Sequence, residues 1–173
     1  MISGEKVQLR GVTYEDSTLI YQWVNLEDLR DLTGTLYPVS EYEHDNWMKS
    51  VTTSNDRKLF AIYMNNRCIG TIGLKNIDYI SRNAELFISI GDNSAKSSGG
   101  GTDAVHTLVD FCFMHLNIHK VYLHVFESNK RAIRCYEKAG FHVEGTLYEH
   151  HFSQGKYENV LVMGKINKPK ESE

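Results

Sequence analysis

What this chain lacks narrows its class before any motif is read. Its three cysteines, Cys68, Cys112 and Cys135, have no CxxC spacing, so they give neither a disulfide framework nor a cysteine zinc site, and buried thiols are expected. His150-His151 has no third ligand, so no metal is expected. No basic stripe is present, and a net charge of −3 with a pI near 6.2 argues against a nucleic-acid partner. No apolar run approaches the ~20 residues that span a bilayer. The opening MISGEKVQLRGVT has neither an apolar signal core nor an Arg/Ser-rich transit pattern, so no membrane partner and a cytoplasmic location are expected. There is no internal repeat, low-complexity tract or linker. Residues 1–166 are therefore expected to form one domain, followed by a charged, frayed tail from Asn167 to Glu173.

What is present is an ordinary soluble composition, 41% hydrophobic and 24% charged, with clear periodicities. Lys6 to Arg10 alternates as a strand. Thr13 caps a helix through Asn25, with Leu19, Ile20 and Trp23 on one face. Leu26 to Val39 reads as irregular with at most a short helical turn, stopped at Pro38. Ser40 and Glu43 have capping-box spacing and open a helix to about Val51. Lys58 to Met64, Arg67 to Ile77 and Asn83 to Ile90 read as a three-strand meander, its first turn at Asn65-Asn66. Then follow a helix from Thr102 to Leu116 and a doubly buried strand from Lys120 to Phe126. A helix from Asn129 to Ala139 ends at Gly140, and two antiparallel strands, Phe141 to His150 and Tyr157 to Lys165, turn at Gly155. This order predicts an α/β (α+β) protein with a mixed, mostly antiparallel sheet of about seven strands flanked by helices.

Gly91 to Gly145 carries the chemistry. A strand ends in SAKSSGGG, where a helix begins. Such a start presents unpaired N–H groups and the positive end of a helix dipole, a site for phosphate. The pyrophosphate of a cofactor is the expected ligand of residues Ser97 to Thr102, with Lys96 at the rim. The next helix begins at Asn129 and carries Tyr136 two turns in.

These residues carry a resemblance. The succession strand, glycine loop, helix, strand, then Asn129-Lys-Arg-Ala132, Tyr136 and Gly140-Phe141, resembles the GNAT superfamily of N-acetyltransferases. NAELFISIG, LNIHKVYLHVFESNKRAIRCYEKAGF and GKYENVLVM are similar to its ribosomal-protein and spermidine acetyltransferase branch. The loop departs from the family pattern Gln/Arg-x-x-Gly-x-Gly/Ala by placing Lys96 first, followed by Ser97, Ser98, Gly99, Gly100 and Gly101.

The resemblance implies an enzyme moving an acetyl group from acetyl-CoA to an amine by direct attack in a ternary complex. It implies backbone contacts to the CoA pyrophosphate from Ser97 to Thr102, to the pantetheine from the free edge at Phe87, Ile88, Ser89 and Ile90, and a CoA contact from Asn129. Asn129 reads equally as a helix N-cap. Tyr136 is implied as the acid that protonates the departing thiolate. Glu85 is implied as base or water organiser, against a plain ion pair with Arg82 or Lys75. His124 lies on the neighbouring strand and is a candidate to line the same cleft. Cys135 has no activating partner and is set aside.

For the acceptor, Tyr37, Glu41 and Trp47, with Glu43, are the lining candidates, since aromatics and carboxylates suit a cation. Spermidine acetyltransferases carry paired glutamates before the proline, where Leu36-Tyr37 stands here before Pro38. A small-molecule amine, polyamine or amino sugar, is the expected acceptor. A protein N-terminus and a silent CoA-binding sensor are the alternatives, and a homodimer through the closing strands is a further expectation.

Overall fold

The structure, a computed structural model, describes residues 1–168, so most of the expected tail lies outside the described residues. It consists of β1 (Ile2–Ser3), β2 (Gln8–Arg10), α1 (Tyr14–Val24), α2 (Glu27–Thr33), α3 (Glu41–Thr53), β3 (Lys58–Met64), β4 (Arg67–Asp78) and β5 (Asn83–Ile90). A short 3₁₀ turn (Asn93–Ala95), α4 (Gly100–His115), β6 (Lys120–Phe126), α5 (Lys130–Lys138), β7 (His142–Ser153) and β8 (Lys156–Ile166) follow.

Local chemistry accounts for the helix ends. Thr13 Oγ1 accepts from Asp16 N at 3.2 Å while Asp16 Oδ2 accepts from Thr13 N at 2.9 Å, a reciprocal cap that starts α1. Ser40 and Glu43 repeat the arrangement at α3. The stretch expected to be irregular contains α2, which has no side-chain cap and ends at Gly34 in the left-handed region, φ 73°. Helix α4 begins two residues before Thr102, so its first turn is built partly of glycine. At the β3–β4 turn both Asn65 (φ 52°) and Asn66 (φ 60°) are left-handed, the twist that a tight hairpin requires.

One sheet of eight strands runs β1-β2-β3-β4-β5-β6-β8-β7. The strand missed in the sequence is the two-residue β1, too short to show alternation. Every pairing is antiparallel except β5–β6. Alternation sorts the side chains into two faces. Ala84, Leu86, Val121, Leu123, Val125 and Met163 share a buried cluster with Val105, Leu108 and Cys112 of α4 and Ile133 and Tyr136 of α5. Each fully buried Leu or Ile there stabilises the fold by about 1.5–3 kcal/mol relative to exposure. The opposite face carries α1 and α3, tied down where Tyr63 Oη donates to Asp16 Oδ1 at 2.7 Å.

The feature that positions the site is a break in pairing. On one side, β5 is bonded to β4 from Asn83 to Ile90. On the other it meets β6 only at Asn83↔Lys120, Ala84↔Val121 and Glu85↔Tyr122. Strand β6 meanwhile pairs with β8 along its whole length. Beyond Glu85 and Tyr122 the two parallel strands diverge, and one edge of β5 from Leu86 onward has no strand partner among the described residues.

Candidate active site

Three constructions converge on that opening. The first is the glycine loop. Gly99 caps α4 at φ 86°, and Ser97 is also left-handed at φ 69°. Gly100 N donates to Ser98 Oγ at 3.2 Å, and Asp103 N donates to Gly99 O at 3.0 Å. The N–H groups of Ser97, Gly99, Gly101 and Thr102 have no acceptor among the described residues. Four free amides at the start of a sixteen-residue helix favour an anion by hydrogen bonding and by dipole.

A second cation on this loop, besides Lys96, has no signal in the sequence. Lys96 ends the 3₁₀ turn, whereas Lys6 Nζ donates to Ser98 O at 3.2 Å. Lys6 is set in place by Asp103, whose carboxylate accepts from the N–H groups of Glu5 (3.2 Å), Lys6 (2.7 Å) and Val7 (2.9 Å). No local pattern announces a contact that joins residues 92 apart in sequence.

The second construction is the free edge of β5. Phe87 lies over Gly73, where an added Cβ would stand 2.5 Å from its ring, and Ile88 and Ile90 pack against the core. Side chains are thus used for packing, Ser89 is half-buried, and the backbone of Phe87 to Ile90 remains as the polar edge. An extended amide ligand can add to such an edge as a strand would.

The third is a buried carboxylate at the apex of the opening. Glu85, 6% exposed, has its Oε1 within 3.2 Å of Lys75 Nζ and 2.8 Å of His124 Nδ1, and its Oε2 accepts from Asn76 Nδ2 at 2.9 Å. Lys75 is its register partner on β4. Asn76 would alternate to the other face, but a bulge between Lys75 and Asp78, with Asn76 at φ 51°, turns it back toward Glu85. Burial pulls the Glu85 carboxyl upward; the hydrogen bond from His124 and the Lys75 ammonium outweigh it and hold the group below its ordinary value. Glu85 is therefore an ionised acceptor. Arg82, the other partner considered for it, bonds Asn117 instead.

Tyr136 stands on the opposite face. It is 7% exposed, tilted against Phe141 with ring centroids 6.1 Å apart, and its hydroxyl makes no hydrogen bond among the described residues. Burial pushes its phenol well above the usual tyrosine range, so it stays protonated. Its neighbour Cys135 accepts a hydrogen bond from Thr102 Oγ1 at 3.3 Å, tying α5 to the first turn of α4. Burial raises the Cys135 thiol too, which removes it as a nucleophile. Asn129 caps α5 by accepting from Ala132 N at 3.2 Å.

Residues 6–142 match the acetyltransferase (GNAT) domain family. The chain belongs to the GNAT acetyltransferases. It is 34% identical over 164 residues to the spermidine N(1)-acetyltransferase of Vibrio cholerae, covering 92% of each chain. The crystal structure of the Vibrio cholerae spermidine N-acetyltransferase in complex with CoA and spermine superposes with a TM-score of 0.85 at 28% identity, over 93% of this chain and 95% of that one. The aminoglycoside N(6')-acetyltransferase type 1 of Klebsiella pneumoniae is 27% identical, over 84% of this chain and 78% of its own.

GNAT enzymes take their acetyl group from acetyl-CoA, and the chemistry present suits that donor: free amides at a helix start favour a phosphate, and a bare strand edge favours an extended amide. The acceptor candidates fare differently. Tyr37, between α2 and α3, is 76% exposed. Glu41 and Trp47 lie on α3, which packs on β3 and α1, and Trp47 is tilted against His44 with ring centroids 5.9 Å apart. Glu43 is used in its helix cap. The structure brings Glu85 and His124 together and leaves these others apart from them.

Proposed function

We propose that this GNAT acetyltransferase acetylates the primary amine of a small polycation, a polyamine or an amino sugar. The observation that carries the reading is the ionised Glu85 at the point where β5 and β6 part. Its charge acts on an ammonium arriving from the α1–α3 side of the sheet through the field at the opening rather than by contact, since Lys75, Asn76 and His124 engage both its oxygens. That side is itself acidic: between residues 14 and 48 stand Glu15, Asp16, Glu27, Asp28, Asp31, Glu41, Glu43 and Asp45 against a single basic residue, Arg30. Such a field raises the local concentration of a cation and its on-rate.

Acetyl-CoA supplies the thioester that the amine attacks. In this reading the residues of the chain divide the remaining work. Loop amides from Ser97 to Thr102, with Lys6, hold the pyrophosphate. The edge from Phe87 to Ile90 aligns the arm along the opening, and the side-chain amide of Asn129 meets it. Tyr136 donates a hydrogen bond and then its proton to the departing sulfur. Glu85 organises the amine side.

The test is CoA release from acetyl-CoA with spermidine, spermine, kanamycin, glucosamine and short peptides with free N-termini. Turnover with a polyamine or amino sugar is the expected result; turnover with peptides alone would overturn the reading. We also read the edge of β7, where Tyr148 and Phe152 are 81% and 57% exposed, as the seam of a homodimer. Analytical ultracentrifugation of the wild type and of Y148E tests that seam, with dissociation of the variant expected.

A further inference from the structure

We propose that His124 takes the proton from the attacking amine and that Glu85 is its positioning residue. The inference rests on the acetyltransferase reading above and assigns the one proton-transfer role that reading leaves open.

Glu85 is badly placed to be the base itself. Its side chain is 8% exposed, and its two oxygens are already engaged by Lys75, Asn76 and His124. Taking up a proton would set it against the ammonium and the amide that now donate to it. A base must also reach its substrate, and this carboxylate is walled in.

His124 meets both requirements. It follows Tyr122, the last β6 residue paired with β5, by two positions, so alternation puts it on the Glu85 face at the mouth of the opening. Its side chain is 39% exposed. Nδ1 lies 2.8 Å from Glu85 Oε1, and an ionised carboxylate can only accept, so Nδ1 carries the hydrogen. In the neutral ring Nε2 then holds the lone pair, and it has no partner among the described residues. The titratable groups around the ring are Glu85 of β5, Lys75 of β4 behind it, and Tyr122 of its own strand, whose ring meets it edge-on at 6.1 Å; its register partner on β8 is Val162. A carboxylate that fixes a histidine's tautomer and stabilises its protonated form is a recurrent way of making a base.

The step balances as follows. Nε2 of His124 takes one proton from the ammonium, and the freed nitrogen lone pair forms the N–C bond to the acetyl carbon. The C–S bond breaks with its electron pair on sulfur, which takes the Tyr136 proton. The second proton shed by the nitrogen restores Tyr136, and His124 releases the first to solvent. Acid and base thus stand on opposite faces of the sheet and meet through the gap between β5 and β6.

The test uses wild type, H124A and E85Q with acetyl-CoA and spermidine or kanamycin. For wild type, kcat/KM should rise with pH through one ionisation and then level. H124A should lose about 10²-fold or more near neutrality, keep the KM for acetyl-CoA, and climb with pH toward the amine's own value of about 10. E85Q should lose less and move the acid limb. A second readout needs no turnover: ¹⁵N NMR of the unliganded protein should show His124 with hydrogen on Nδ1 and a bare Nε2, an assignment lost in E85Q. An active wild type matched by H124A in rate and pH profile overturns the role of His124 alone, as does a hydrogen on Nε2. A wild type inert on every amine overturns the acceptor reading and this step with it.

Discussion

Lys6 Nζ donates to the carbonyl oxygen of Ser98, so a cation from the N-terminal segment sits on the loop between β5 and α4. Asp103, in the first turn of α4, holds the backbone of Glu5, Lys6 and Val7 by three hydrogen bonds. The loop and Lys6 are therefore one assembly, set by a carboxylate that also suits the helix dipole.

Replacing Lys6 by Met should weaken CoA binding about threefold to tenfold, up to ~1.4 kcal/mol. Lys6 is exposed, so salt should erode its contribution. Calorimetric titration of CoA at low and high salt checks this: the gap between wild type and K6M should narrow with salt, and equal affinities at low salt would remove Lys6 from the site.

Tyr136→Phe should lower kcat by about 10²-fold or more while leaving CoA affinity and melting temperature nearly unchanged. The hydroxyl makes no hydrogen bond among the described residues, so stability owes it little. Full turnover in Y136F would assign the acid elsewhere.

The loop glycines should not be equivalent. Gly99 has φ 86° and an added Cβ would stand 2.8 Å from Lys6 Nζ, so G99A should cost about 1–2 kcal/mol of stability and displace the lysine. At Gly101 the nearest atom to an added Cβ is Ile90 Cγ1 at 3.7 Å, an ordinary contact. G101A should stabilise the helix by about 0.5 kcal/mol. Thermal melts of the two variants decide it.

Alkaline pH should unfold the protein by a predictable route. Burial pushes the Cys112 thiol up to about 12 and, with the Asp16 charge, the Cys68 thiol up to about 12. The hydrogen bond to Asp16, with burial, raises Tyr63 to about 12. All three bind their protons more tightly folded than unfolded, so the stability they contribute is complete below about pH 9 and lost as pH rises toward 12. Melting temperature in reducing buffer should fall across that window, and C68A should flatten the fall.

Much of the fold was legible because its signals are local. Asn65-Asn66 marked a hairpin, Ser40 with Glu43 marked a helix start, and Gly140 marked a helix end, each through backbone geometry within four residues. Helix α2 escaped because it has seven residues and no side-chain cap. The insertion of β8 between β6 and β7 is a non-local pairing that alternation does not encode. In the candidate site, the family pattern singled out Tyr136, Glu85 and the glycine loop. The partners of Glu85 come from the two strands that flank it, and Asn76 reaches it only through a bulge. The acceptor candidates Glu41 and Trp47 are the least legible, because an aromatic or acidic residue on an amphipathic helix reads alike whether it packs or binds.

Strands β5 and β6 share three residue pairs and then part. Mechanically the sheet is two blades joined in its backbone ladder by that short seam and beneath it by the shared core, one blade carrying the acidic helices and the other the closing hairpin. A ligand laid along the gap acts as a temporary ninth strand that joins them. Those amides of Leu86 to Ile90 that face away from β4 should therefore gain protection from hydrogen exchange when CoA binds, and the blades should move more nearly as one body in the loaded enzyme.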